Sequence, residues 1–275
     1  MRSDRVRLAV AATVVLAAAH LVAVALVLDQ PDRIWEVHDA FNWIAAVFGA
    51  AGAVIAARTF ERGDYLRRVW ALLALGSGSL VVGHAIRSYW AHASSGLDMT
   101  ETSLIYVRLA VIAVANTGTA WGLLLLAYSY ARSGITVPRT AAFNVVWGLV
   151  SALALGLMVR QLREDVAGFD SGRMAASSLI SIISTLGDTA GIILIAPVLR
   201  VAYLMRGGRL AGAWWAMGLS EALWLIYDCK TWIAGPLPFN PAHVMALLVV
   251  VRDPALSLQG LAGLLHRAAV TGPEV

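Results

Sequence analysis

Ionisable side chains within long apolar stretches are the residues of this sequence that could do chemistry. Asp188 lies inside such a stretch, in a short run of small and polar residues, 184–189. Glu221 and Asp228 are seven residues apart, so on a helix they share one face. A charged group at the centre of a bilayer costs at least ~2.5–3.5 kcal/mol, so we expect these carboxyls to line a polar pocket.

Cationic and amide side chains in the same stretches complete this set of candidate ligand- or ion-binding residues. Lys230, the only lysine in the sequence, lies about 200° of helix rotation from Asp228. It either extends to the membrane surface or pairs with Asp188 of the preceding apolar stretch. Asn116 adds a polar group to another stretch and is typical of hydrogen bonding between helices.

The run Arg252-Asp253-Pro254 interrupts the last apolar stretch near its centre. A proline removes one backbone hydrogen bond, and the two charges beside it resemble the broken helices that line transporter sites. The alternative is that the span ends at this point and residues 255–268 lie on the membrane surface as an amphipathic helix.

Two histidines permit a haem prediction. His20 and His84 lie at similar depths in their apolar stretches, as the two axial ligands of a b-type haem would. Arg87 is one turn beyond His84, on the same face, where it could meet a propionate. Hydrogen-bonded packing histidines explain the same pattern. A zinc or copper site at the outer surface is a further alternative, with candidate ligands His38, His92 and His243.

Positioning these residues requires membrane-spanning helices. The chain is 59% hydrophobic and 14% charged, with a mean hydropathy of +0.73, which is outside the range of soluble domains. A spanning helix needs ~20 apolar residues. That length fits eight segments: 7–28, 41–59, 69–91, 104–131, 141–160, 177–200, 212–234 and 242–265. The predicted fold class is therefore an all-α, polytopic membrane bundle forming one integral domain, 1–275.

The distribution of cations predicts the orientation of this bundle. In the eight-span arrangement thirteen cationic residues lie on the side of both termini and seven on the other, with Arg252 inside the membrane. The positive-inside rule then places both termini in the cytoplasm, with the protein in the cell membrane. The tryptophans Trp35, Trp43, Trp90, Trp214 and Trp215 are interpreted as interfacial anchors.

An internal repeat is the most specific pattern in the sequence. Arg62-Gly63, Leu66, Trp70 and Leu75 recur 144 residues later as Arg206-Gly207, Leu210, Trp214 and Leu219. Such a repeat predicts two four-helix halves, 1–135 and 136–270, in parallel orientation about an axis along the membrane normal. In this register His84 corresponds to Asp228. The pairs Gly118/Gly122 and Gly187/Gly191 indicate close helix packing without a functional role.

These observations favour a binding function. The spans are joined by short connections and carry no diagnostic catalytic motif, and the arginines are scattered between apolar runs, which argues against nucleic acid as a partner. We expect a sensor or accessory subunit that binds a small ligand, lipid or ion in an intramembrane pocket and acts through a protein partner or a second copy. The alternatives are a proton- or ion-coupled transporter, a membrane enzyme acting on an apolar substrate, and a b-haem electron-transfer subunit.

Overall fold

The computed structural model describes residues 2–93, 102–132, 141–167 and 175–272, and every element in these ranges is helical. Residues 1, 94–101, 133–140, 168–174 and 273–275 lie outside these ranges. They include parts of the connections predicted between spans. The helices are α1 (Arg2–Leu26), α2 (Pro31–Thr59), α3 (Tyr65–Ala93), α4 (Leu104–Arg132), α5 (Ala141–Ala167), α6 (Ala175–Leu204), α7 (Ala211–Asp228), α8 (Lys230–Ala234), α9 (Pro241–Val249) and α10 (Arg252–Thr271).

Seven helical stretches among the described residues are long and apolar enough to cross a membrane. They are Val6–Leu26, Pro31–Thr59, Tyr65–Trp90, Leu104–Arg132, Ala141–Glu164, Ala176–Leu204 and Pro241–Thr271, the last combining α9 and α10. The predicted all-α fold is thereby confirmed for the described residues, and seven of the eight predicted spans are long and apolar enough to cross a membrane. The remaining predicted span, 212–234, is helical as α7 and α8 but is not among the seven.

Six helices form a closed ring. In order around it, α2 packs against α3, α3 against α4, α4 against α6, α6 against α7, α7 against α10, and α10 against α2. α1 lies outside this ring against α10 and α2, and α5 lies outside it against α6. The polar side chains of α3, α4, α6, α7 and α10 can therefore meet inside the ring.

The junction of α9 and α10 resolves the two interpretations of Arg252-Asp253-Pro254. The helix tightens over one turn, where Val250 and Val251 donate backbone hydrogen bonds to carbonyls three residues earlier, 3.2 Å in each case. Beyond it, residues 255–263 are buried against α2 and α7. The surface-helix interpretation is therefore wrong for these residues, because they form part of the bundle core.

Glycines allow α2 and α10 to touch along their backbones. A methyl group on Gly52 would overlap the backbone of Gly260, and one on Gly263 would overlap the backbone of Gly52. A methyl group on Gly49 would also overlap the carbonyl oxygen of Leu256. This contact holds α10 against α2 and fixes which faces of α10 point toward α1, α2 and α7.

One end of the bundle carries both turns of the sequence repeat, and we call it the turn end. Gly63 and Gly207 each adopt a positive φ there, 100° and 95°, a conformation that glycine adopts without strain. Trp70 and Trp214 follow these turns and are 0% and 1% exposed in the apolar core. The interpretation of Trp214 as an interfacial anchor is therefore wrong; Trp215, which is 46% exposed, remains free to serve as one.

Candidate functional site

A cavity of about 190 Å³ lies inside the ring, between α3, α4, α6, α7 and α10. We call it the central cavity. Its polar lining combines most of the residues predicted from the sequence with several that were not: Arg87, Arg108, Asn116, Thr119, Ser184, Asp188, Glu221, Tyr227, Asp228, Arg252 and Gln259. The structure thus brings together residues that are up to 172 positions apart in the chain.

Asp188 of α6 and Asp228 at the end of α7 form a hydrogen-bonded carboxyl pair. An ionised carboxylate can only accept, so a hydrogen bond between two carboxyls requires a proton on one of them. Glu221, two turns before Asp228, faces the same cavity. The three acids together therefore carry at most two negative charges while this hydrogen bond exists.

A second cavity of about 240 Å³ lies on the α5 side of the same carboxyl pair. It is lined by residues of α5, α6, α7 and α8, and it shares Ser184, Asp188, Tyr227 and Asp228 with the central cavity. The Asp188–Asp228 pair is therefore part of the wall between the two cavities. We call this second space the α5-side cavity.

Three arginines from three different helices line the central cavity: Arg87 of α3, Arg108 of α4 and Arg252 of α10. The guanidinium carbon of Arg252 lies 5.6 Å from the ring centroids of both Trp224 and Tyr227, within cation–π range. Its Nε is buried and has no hydrogen-bond partner in the described part of the chain. The cavity therefore has a cationic wall with unused hydrogen-bonding capacity.

Glu221 has unused capacity as well. Its side chain is 3% exposed, and Oε1 is buried without a hydrogen-bond partner among the described residues. Gly191 of α6 lies directly against its carboxyl group, where a methyl group would overlap Oε2. An unpaired polar atom in such a position is costly unless a ligand or water satisfies it.

The side chain of Asn116 of α4 fills the space beside Gly187 of α6, one turn before Gly191. Its amide donates to the carbonyl of Ile112 over 3.0 Å, and its oxygen lies where a methyl group on Gly187 would be. The Gly187/Gly191 pair was predicted to serve plain helix contact. The contact is observed: the two glycines make room for the side chains of Asn116 of α4 and Glu221 of α7, which pack directly against α6.

Lys230 lies in the α5-side cavity, with Asp188 and Asp228 in the same lining. Its ammonium donates to the carbonyl of Tyr227 over 3.2 Å and lies 3.9 Å from the centroid of that ring. The lysine is held close to the bundle by these contacts, at the junction of α7 and α8.

The predicted haem ligands have different surroundings. Nδ1 of His20 lies 2.6 Å from Oδ2 of Asp253, and Nε2 lies 2.9 Å from Nδ1 of His38. An axial ligand needs one free ring nitrogen, so haem binding at His20 would require one of these two contacts to be given up. His84 is 4% exposed, and neither of its ring nitrogens has a hydrogen-bond partner in the described part of the chain. The His20–His84 haem, with Arg87, stays a prediction.

A zinc or copper site receives no support. Within the described ranges, no group of three or more histidine, cysteine, aspartate or glutamate side chains is placed to hold a metal ion. His243 instead lies 3.3 Å from the exposed carboxylate of Asp29, and His38 contacts His20 inside the bundle.

Heptad spacing explains how three helices deliver polar groups to common depths. Residues seven apart share a helix face about 10.5 Å apart along its axis. From the turn end, each helix places an aromatic residue first, then two polar residues at successive steps of seven. These triplets are Trp70, Ser77 and His84 on α3; Trp214, Glu221 and Asp228 on α7; and His266, Gln259 and Arg252 on α10.

Contacts across the ring follow this arrangement. Nε1 of Trp70 donates to Nδ1 of His266 over 2.6 Å, and Oγ of Ser77 donates to Oε1 of Gln259 over 3.2 Å. Arg108, Tyr227 and Gln259 were missed as site residues from sequence. Gln259 could have been found, because it lies midway in the series between Arg252 and His266, whereas the first-turn position of Arg108 only suggested a cation near the membrane surface.

The fold and site define the class of protein: a helical bundle with membrane-spanning character and a charged internal cavity. No protein-family model, curated protein or solved structure matches the chain.

Proposed function

We propose that this protein binds a small ligand with an anionic group in the central cavity, as a sensor or accessory subunit in a membrane. The observation that carries this proposal is the convergence of Arg87, Arg108 and Arg252 on one cavity. Three guanidinium groups face at most two negative charges from the acids of the same lining, so the lining has at least one unbalanced positive charge. Guanidinium groups bind carboxylate and phosphate through paired hydrogen bonds.

The unpaired Oε1 of Glu221 adds a second requirement. It lies two helical turns from Asp228, toward the turn end, so the acidic group and the arginines are at different depths. A ligand that satisfies both has its anionic group at the arginines and a hydrogen-bond donor, such as a hydroxyl or amine, nearer the turn end. Water can supply the donor when the ligand does not.

A direct binding measurement tests this proposal. The purified protein in detergent is titrated with inorganic phosphate, with octanoate and with short-chain phosphatidic acid. Binding is followed as the part of the tryptophan fluorescence change that is lost in Trp224→Phe, because Trp224 lies beside Arg252. A lipid source predicts that only the two amphiphiles bind, whereas a soluble source predicts binding of phosphate as well. Loss of one charged hydrogen-bond partner typically costs about 1.5–3 kcal/mol, so Arg108→Gln and Arg252→Gln should weaken binding about 10-fold or more.

Arg33→Gln is the matched control, because Arg33 is exposed in the first turn of α2, away from the central cavity. Binding that is equally strong in Arg33→Gln and Arg252→Gln would contradict the proposal. So would the absence of a fluorescence response to all three anions in the folded wild-type protein.

Proton-coupled transport is the second candidate, and the position of the Asp188–Asp228 pair favours it. A carboxyl pair that shares one proton in the wall between two cavities can exchange that proton with either side. In vesicles containing a pH-sensitive dye, this candidate predicts proton movement that Asp188→Asn and Asp228→Asn abolish and that Glu164→Gln, an exposed change on α5, preserves. Wild-type vesicles no more permeable to protons than empty ones would remove this candidate.

We also propose that the chain consists of two related halves, 1–135 and 136–270. In the register of 144 residues, α1 corresponds to α5 and α2 to α6. In the same register α3 corresponds to α7 and α8 together, and α4 to α9 and α10 together. Two arrangements of the helices support this. The two helices outside the ring, α1 and α5, are counterparts of each other. The two interfaces between the halves, α4 with α6 and α10 with α2, are also counterparts of each other. Parallel halves related by an axis along the membrane normal would have this pattern.

Both termini are proposed to be cytoplasmic, in the cell membrane, with lipid and a protein partner or second copy around the bundle. The arginines of the turn end support this orientation. The chain has one cysteine, Cys229, so a Cys229→Ser background allows single cysteines to be placed at Arg62 and at Asp32. In whole cells, an impermeant thiol reagent should label the cysteine at position 32 and leave the one at position 62 unmodified; the reverse would invert the topology.

A further inference from the structure

Three side chains outside both cavities form a connected polar chain through the bundle. Asp253 of α10 contacts His20 of α1 at 2.6 Å, between Oδ2 and Nδ1. The other ring nitrogen of His20 lies 2.9 Å from Nδ1 of His38 of α2. The order Asp253, His20, His38 therefore links three helices through successive nitrogen and oxygen atoms.

The middle of this chain is held rigidly and is shielded from solvent. His20 and Asp253 are both 0% exposed. The ring of Phe41 stacks on His20 with centroids 4.7 Å apart and 3° between planes. The glycine contact of α2 with α10, at Gly49 and Gly52, fixes the two helices that carry His38 and Asp253.

The number of hydrogens shared by Asp253, His20 and His38 determines which atom of this series can accept a further proton. Nδ1 of His20 and Oδ2 of Asp253 are 2.6 Å apart but are not aligned as a hydrogen bond. Because an ionised carboxylate only accepts, a contact this short still requires the hydrogen to be on Nδ1 of His20. Exactly one hydrogen lies between His20 and His38, and when both rings are neutral it belongs to Nδ1 of His38. Nε2 of His38 then has a free lone pair. That atom is buried and has no hydrogen-bond partner in the described part of the chain.

We propose that Asp253, His20 and His38 form a proton relay whose entry point is Nε2 of His38. A hydronium ion from the solvent gives a proton to Nε2 of His38 and becomes water, and the hydrogen on Nδ1 of His38 passes to Nε2 of His20. Two N–H bonds form and one breaks, so one proton enters and no electrons are exchanged with a partner. The positive charge finishes on His20, where Asp253 neutralises it.

The surrounding charges set this direction. Arg87 of α3 and Arg252 of α10 both repel a positive charge on His38, whose neighbour in the chain is the carboxylate Asp39. One oxygen of Asp39 accepts a hydrogen bond from Ser88, and the other is buried without a hydrogen-bond partner among the described residues. A charge on His20 has Asp253 in direct contact. The relay is independent of the ligand proposed for the central cavity.

Nitrogen-15 NMR of histidine-labelled protein in detergent tests the relay. The chain has six histidines, and single His→Gln variants assign their signals. As the pH is lowered, the relay predicts that His20 becomes an imidazolium before His38 does. Burial alone predicts the reverse order, since desolvation disfavours the charged form of the more buried ring. The wild-type protein by itself therefore decides the question.

Variants identify the cause. Asp253→Asn should remove the imidazolium signal of His20 at the pH where wild-type protein shows it, and Asp32→Asn, an exposed change on α2, should leave it in place. An imidazolium on His38 rather than His20, or a neutral His20 throughout, would overturn the relay. So would an unchanged His20 signal in folded Asp253→Asn protein. Binding of phosphate or octanoate reports separately on the central cavity.

Discussion

The indole rings of Trp70 and Trp214, 144 residues apart in the sequence, stack with centroids 6.3 Å apart and 16° between planes. His266 contacts both rings and accepts the hydrogen bond from Nε1 of Trp70. The corresponding positions of the sequence repeat are thus in mutual contact at the turn end. Polar groups that begin one heptad further along α3, α7 and α10 extend from this cluster to the central cavity.

Trp70→Phe should lower the thermal stability of the purified protein. The change leaves Nδ1 of His266 without its donor in a site that is 1% exposed, at a cost of about 1–3 kcal/mol. Trp215→Phe is the matched control, because its ring is 46% exposed and next to Trp214. Melting curves in detergent make the comparison. Equal melting temperatures for the two variants would show that the Trp70–His266 hydrogen bond contributes nothing to stability.

The two repeated turns should respond alike to the loss of glycine. Gly63→Ala and Gly207→Ala each force a side chain into the positive-φ region, which costs roughly 1–2 kcal/mol. Asparagine tolerates this conformation better, so Gly63→Asn and Gly207→Asn should lose less. Among the described residues no atom lies within 4 Å of a methyl group at either position, so crowding does not affect the comparison of melting temperatures. An alanine variant as stable as wild type would mean that the turn relaxes.

Gly191→Ala should disturb the central cavity directly. Its methyl group would overlap Oε2 of Glu221, and the one in Gly187→Ala would overlap Oδ1 of Asn116. We expect both to lower stability by about 1–3 kcal/mol through overpacking and to weaken anion binding. Gly148→Ala on α5 is the control, since its methyl group meets no atom of the described part of the chain within 4 Å. If the folded Gly191→Ala protein bound anions as tightly as the wild type, Glu221 would not be part of the ligand site.

Gly260→Ala should separate α10 from α2. The added methyl group would meet the backbone of Phe48 and Gly49, which cannot rotate away, so the helices must move apart. The expected cost is about 1–3 kcal/mol or more, together with loss of the His20–His38 contact in the histidine NMR spectrum. Gly78→Ala, a helical glycine of α3 with open space beside it, should be neutral or slightly stabilising. A Gly260→Ala protein with the stability and histidine spectrum of wild type would show that this backbone contact is dispensable.

The sequence by itself determined which segments are helical and apolar, and which polar residues those segments carry. Both properties are sums over neighbouring residues, because helix formation and transfer to lipid depend on composition over about 20 positions. The sequence therefore predicts one set of membrane-embedded polar residues: Asp188, Glu221, Asp228, Arg252 and Asn116. The seven-residue spacing of Glu221 and Asp228 was equally readable, because it follows from helix geometry alone.

Only the tertiary structure decided which of these residues meet. The contacts of His20 with His38 and Asp253, for example, could not be predicted from its position in the sequence. Each helix can rotate about its axis without changing its length or composition. The rotation is set by close packing between distant segments, such as Gly52 against Gly260, and such contacts leave no local signal in the sequence.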